Sequence, residues 1–155
     1  MDFIQSFITQ LSSVNQESFE QMAIDLFGYQ FANNPVYQQY CQLLDKEPRN
    51  VEKVTDIPFL PISFFKNHDI KTGIWDESMV FLSSGTTGTE RSRHLVRDIE
   101  IYQQYAKAAF EGLYGPLPQY SLYAMLPSYH QQGNSSLISM VNYFLQFTRK
   151  GSGFY

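Results

Sequence analysis

The stretch that most limits how this chain can fold runs from Met79 to Val96. Met79 to Leu82 (MVFL) is a short unbroken apolar run, the pattern of a buried strand. It stops at Ser83, and the next residues are almost all Ser, Gly, Thr and charged groups: SSGTTGTERSR. Such a segment can continue neither a packed strand nor a helix, and it reads as a loop over Ser83 to Ser92. His94 to Val96 then reads as a returning strand, so strands are expected on both sides of the loop. Asp98 caps a helix with Ile99, Tyr102, Ala106, Ala109, Phe110 and Leu113 on one face, ended by Gly115 and Pro116. Tyr120 to Leu126 (YSLYAML) is a third strand candidate and Pro127 to Asn134 a second loop. Ser135 or Ser136 caps a helix bearing Leu137, Ile138, Val141, Phe144 and Leu145, and GSGFY follows directly.

Before this region the periodicity is helical. Phe3, Ile4, Phe7, Ile8 and Leu11 recur at helical spacing. A second helix is expected from Ser18, with Gln21 completing a capping box, and with Phe19, Met22, Ala23, Leu26 and Phe27 on its apolar face. A third starts at Asn34-Pro35, Asn as cap and Pro in the first turn, with Val36, Tyr37, Tyr40, Leu43 and Leu44 facing the core. DKEPRN (Asp45 to Asn50) is a charged connection. In IPFLPISFFK, Pro58 and Pro61 remove two backbone donors, which predicts an extended segment and then a short helical turn at Ser63 to Asn67.

The expected fold class is therefore α/β: a helical N-terminal cap over residues 1–56, then a partial mixed sheet with flanking helices over residues 57–155. Three strand candidates are few for an α/β sheet of ~4–6 strands. The last helix should lead into a further strand, so the natural protein is expected to be longer than this chain. An uncovered sheet edge would then favour pairing with a second copy, a homo-oligomer.

Composition narrows the function classes. Lys+Arg 11 against Asp+Glu 15 gives a net charge of -4, which argues against a nucleic-acid binder relying on clustered cations. The single cysteine, Cys41, excludes an internal disulfide, and no Cys and His cluster has zinc spacing; no metal site is expected. Asp2 stands where an export signal would be basic, and no run approaches the ~20 apolar residues of a membrane span. A reducing cytoplasm is the expected compartment. The 13 Phe, 11 Tyr and one Trp allow two readings, a large aromatic core or aromatics lining an apolar ligand pocket.

Two loops carry the chemistry. In Ser83 to Arg93, glycines let backbone amides turn toward an anion, Ser and Thr hydroxyls donate to it, and Arg91 and Arg93 add charge. That set suits a polyphosphate, although a polar hairpin turn uses the same residue types. The loop lacks the Lys-Ser/Thr of a Walker A motif and does not match GxGxxG. The second loop, LPSYHQQG (Leu126 to Gly133), follows a strand, where α/β sheets place ligands. Its His130 could bond a carboxylate or phosphate, or move a proton; a surface histidine is the simpler alternative.

Taken together, these two loops resemble the adenylate-forming superfamily of acyl- and aryl-CoA synthetases. FLPISFFK, SSGTTG and LPSYHQQGNSSLISMV in that order are similar to the acyl-protein synthetase family typified by the LuxE component of bacterial luminescence. This resemblance spans Ile57 to Tyr155. It implies the N-terminal part of an adenylate-forming fold and an ATP-dependent enzyme in which a carboxylic acid, such as a fatty acid, forms an acyl-adenylate and passes to a thiol of an acceptor protein or CoA. It implies that Ser83, Ser84, Gly85, Thr86, Thr87 and Gly88 bind the ATP phosphates, with Mg²⁺ as companion ion, and that His130 serves the acyl step. The usual Pro-Lys after the loop is Thr89-Glu90-Arg91 here, which leaves the cation between Arg91 and Arg93. The motifs for adenine, ribose and Mg²⁺, and the acyl-accepting cysteine, belong to later parts of such enzymes. Cys41, on the apolar side of a helix, is not expected to be that nucleophile. Two other readings stand beside this one: a serine hydrolase using Ser135 or Ser136 with His130, and a non-catalytic anion- or nucleotide-binding module.

Overall fold

A computed structural model describes residues 3–83, 91–126 and 133–155. The chain divides into two compact units, Met1–Phe64 with Ile70–Ile74, and Phe65–Asp69 with Trp75–Tyr155.

The first unit is helical. Helix α1 (Phe3–Leu11) half-buries the expected face of Phe3, Ile4, Phe7, Ile8 and Leu11, and the Phe3 ring stacks on Tyr29 with centroids 4.3 Å apart. Helix α2 spans Gln16–Asn33, so its start lies earlier than Ser18. Asn15 is the cap: its Oδ1 accepts from Ser18 N–H, while the Asn15 N–H donates to Ser18 Oγ. Ser18 thus stands at the N3 position of the capping box rather than at its N-cap, and Asn is as strong a cap as Ser. Met22 and Phe27 are buried, whereas Phe19 is exposed.

Asn34 joins two helices. Its N–H closes α2 onto Gln30 O, and its Oδ1 accepts from Tyr37 N–H to open α3 (Pro35–Leu43), with Pro35 in the first turn as expected. The face of α3 is narrower than the sequence predicts. Tyr37 and Cys41 are buried, but Leu43 and Leu44 are exposed, because the helix ends at Leu43 and the chain turns away. Phe27, Tyr37, Cys41 and Val51 form the core, flanked by Phe31, Tyr40, Ile57 and Leu60.

A 3₁₀ turn at Val54–Asp56 leads into the Pro-rich segment. Tyr37 O–H donates to Pro58 O at 2.8 Å and Tyr40 O–H to Phe59 O at 3.4 Å. Side-chain hydroxyls therefore take up carbonyls of a segment whose prolines keep it out of a sheet ladder. Helix α4 (Phe64–Asn67) is the expected short turn.

The second unit contains all the strands assigned among the described residues. β1 (Met79–Leu82) pairs antiparallel with β2 (Arg93–Val96), Met79 opposite Val96 and Leu82 opposite Arg93. Ser78 Oγ donates to Val96 O and accepts Ile99 N–H, which fastens the hairpin to the start of helix α5 (Ile99–Tyr114). Asp98 caps α5 as expected, and Gly115, at φ 92, closes it in a conformation that disfavours residues with a Cβ. Along its face Ile99, Tyr102, Ala106 and Phe110 are half-buried, while Ala109 and Leu113 are exposed. Tyr102 meets Phe81 of β1.

A 3₁₀ turn (Leu117–Gln119) precedes β3 (Tyr123–Ala124), a shorter strand than YSLYAML suggests. Helix α6 (Ser136–Leu145) follows, capped by Ser135, with Ile138, Ser139, Val141 and Phe144 buried. Phe144 meets Phe110 of α5 at 5.3 Å between centroids. The GSGFY tail is not merely the end of a helix: β4 (Gly153–Phe154) lies parallel to β3. The strand expected after α6 is thus within the chain, and β3, α6 and β4 form a short βαβ unit. The fold is α/β, with the strands arranged as one antiparallel and one parallel pair.

Between these elements, Lys107 bonds Glu111 at 2.6 Å and lies 5.0 Å from the Phe147 ring centre, while Glu111 also accepts Leu117 N–H. The Lys107 hydrogen bond, with the Leu117 N–H, holds the Glu111 carboxyl below the usual glutamate range. No helix among the described residues is long and apolar enough to cross a membrane.

Cys41 is completely buried, and burial raises its thiol pKa, an effect the Tyr37 hydroxyl offsets only in part. The thiolate is the reactive form, so a raised pKa means less of it at neutral pH. Native protein should therefore react with iodoacetamide at least ~100-fold more slowly than protein unfolded in urea, as followed by intact mass. Equal rates in the two states would refute this placement of Cys41.

Candidate functional site

The β1–β2 pairing determines where the first loop leaves and returns. The ladder runs one residue past the strands: Ser83 N–H donates to Ser92 O and Ser92 N–H donates to Ser83 Oγ, both at 3.0 Å. Accepting that bond leaves the Ser83 hydroxyl its own O–H as a donor. As expected, strands flank the loop on both sides, so no helix begins at its far end.

The expected phosphate-binding residues divide into two groups. Ser83, Arg91 and Arg93 are described, and all three are exposed. Ser84, Gly85, Thr86, Thr87 and Gly88 lie outside the described residues, as does His130. Arg93, the first residue of β2, donates from Nη1 to Asp69 Oδ1 at 2.7 Å. The two side chains keep 45% and 55% of their surface in water, so the pair is open to solvent.

The second loop is tied to the first at its base. Leu82 N–H, at the last residue of β1, donates to Asn134 O at 2.9 Å. Asn134 directly precedes Ser135, whose Oγ accepts Ile138 N–H to cap α6. Ser139, buried on the same helix, accepts from Gln103 Nε2 of α5 at 3.4 Å. The exit of SSGTTG's leading strand and the exit of LPSYHQQG are therefore anchored to each other, and α5 holds the helix that carries the second anchor.

Asp69 and Asn134 did not stand out in the sequence. The partners Asp69 and Arg93 lie 24 residues apart, and the Asn134 contact uses its backbone, so neither leaves a local pattern. His68 and His94 are exposed, in keeping with surface roles. Ser135, a nucleophile in the hydrolase reading, has its hydroxyl engaged as a helix cap. Among the described residues no group of three or more His, Cys, Asp or Glu is placed to hold a metal ion.

The acyl-protein synthetase, LuxE, family matches residues 4–111. The chain belongs to this family. The match takes in the N-terminal helices as well as the hairpin loop, and so begins well before Ile57, where the sequence resemblance starts. It ends ahead of LPSYHQQG and does not reach His130. No curated protein and no solved structure matches the chain.

If Leu82 and Ser83 amides are held as described, both should exchange with deuterium more slowly than unbonded loop amides, by at least ~10-fold. Exchange of the Leu82 amide at the rate of an unstructured peptide would show that the two loop bases are not joined.

Proposed function

We propose that this chain is the nucleotide- and acyl-binding N-terminal part of an ATP-dependent acyl-protein synthetase. The observation that carries this reading is the family match across the strand-flanked SSGTTG loop. The Leu82–Asn134 bond supports it, since it ties an anion loop to the segment bearing His130.

In the proposed reaction a carboxylate oxygen of the acid, for which a fatty acid is the leading candidate, bonds to the α-phosphorus of ATP. The bond from that phosphorus to the bridging oxygen breaks and pyrophosphate leaves. A thiol on an acceptor protein or CoA then attacks the acyl carbonyl, AMP departs, and the thiol proton goes to a base. Ser83 to Gly88 bind the phosphates through amides and hydroxyls, with Arg91 or Arg93 as counter-charge. Such donors fit a polyphosphate because they face negative charge without needing to reorganise. Mg²⁺, which keeps most of its water and few protein ligands, would enter on the phosphates.

Two experiments test the assignments. A hydrogen bond to a charged acceptor is worth ~1.5–3 kcal/mol, so Thr87→Ala should weaken ATP binding roughly 10- to 100-fold in calorimetry. Gly85→Val should weaken it more, because a Cβ restricts φ and blocks close approach. Thermal melting should change little in both variants. Unaltered ATP affinity in both would make the loop a polar turn and remove the proposal.

His130→Ala should lower acyl-adenylate formation by ~100-fold or more while leaving ATP affinity nearly intact, as expected for a group acting on the acid. Equal loss of both, or loss of neither, would remove His130 from the acyl step.

A further inference from the structure

We propose that Asp69 acts as a placeholder for the nucleotide phosphate: its carboxylate holds the Arg93 guanidinium beside the mouth of the Ser83–Ser92 loop and gives it up when a polyphosphate binds. The inference rests on the phosphate-loop reading above and extends it to a residue outside the loop.

Arg93 sits one position beyond Ser92, whose backbone bonds to Ser83 close the loop at its base. Its guanidinium is thus anchored by the strand close to where phosphate is proposed to bind. The bridge uses one guanidinium nitrogen and one carboxylate oxygen, at 2.7 Å. A guanidinium has five donors in a planar fork, and a phosphate can take two of them at once. Both side chains are about half in water, so the existing pair is weak and its replacement costs little. An anion arriving at the loop therefore offers Arg93 a stronger partner than the one it leaves. Asp69 touches Arg93 and acts on phosphate binding only through that guanidinium.

The exchange predicts a gain of function. Asp69→Asn removes the competitor and should tighten binding of inorganic tripolyphosphate about two- to five-fold, the range set by the weakness of an exposed pair. Arg93→Gln should weaken binding ~10-fold or more, because it removes a charged hydrogen bond. The decisive variant is the double one. In the Arg93→Gln background, Asp69→Asn should bring no gain, because there is no longer a guanidinium to release. Calorimetric titration of the four proteins in one buffer, with melting curves to verify folding, completes the cycle.

A two- to five-fold gain that disappears without Arg93 supports the proposal. The same gain in both backgrounds would mean that Asp69 only adds a negative field, and a loss of affinity in Asp69→Asn would mean that it never competes; each overturns the proposal. If Thr87→Ala weakens tripolyphosphate binding but the cycle is additive, the phosphate loop stands and the role of Asp69 falls. If the unmodified chain binds no tripolyphosphate, both fall together.

Discussion

Leu82 is the last residue of an edge strand, and its N–H points away from the partner strand. Left alone, that donor would be lost to water or open to pairing with another chain. The carbonyl of Asn134 takes it instead. This one bond makes the end of β1 a common anchor, because the same strand end launches the Ser/Thr/Gly loop while Asn134 leads directly into Ser135, the cap of α6. The arrangement of the rest of the second unit follows. Ser78 ties the hairpin to α5, Gln103 and the Phe110–Phe144 contact tie α5 to α6, and α6 returns the chain to β4 beside β3.

The backbone bonds of Leu82 and Ser83 fix the bases of the two loops relative to each other. The first unit does different work. Its core is aromatic, and its tyrosines are bifunctional: Tyr37 packs edge-on against Phe27 while its hydroxyl takes the Pro58 carbonyl. Part of the high aromatic content is thereby accounted for as core, with polar ends satisfying a segment that proline keeps out of any sheet.

Membership of the LuxE acyl-protein synthetase family covers both units as far as Glu111. The helices before the loop therefore belong to the family's pattern as much as the loop does, which the loop-centred resemblance did not anticipate. The buried, thiol-form Cys41 is consistent with a structural part for the chain's one cysteine.

Local chemistry by itself determined the elements with strong punctuation. Asn34-Pro35, Asp98 and Gly115 set helix ends correctly because each acts on its own backbone within a few residues. The MVFL–loop–strand order was legible for the same reason. Where alternatives lay within a turn of each other, as with Asn15 and Ser18, local pattern alone chose the wrong cap. Only the tertiary structure decided that Leu43, Leu44 and Leu113 stay exposed, since helical spacing defines a face but not how far its cover extends. It alone paired Gly153–Phe154 with Tyr123–Ala124, because a two-residue strand carries too little periodicity to announce itself. It alone brought Asp69 to Arg93 and Asn134 to Leu82. Those contacts join residues far apart in the chain through a single ion pair and a backbone carbonyl, and neither leaves a trace in the order of side chains.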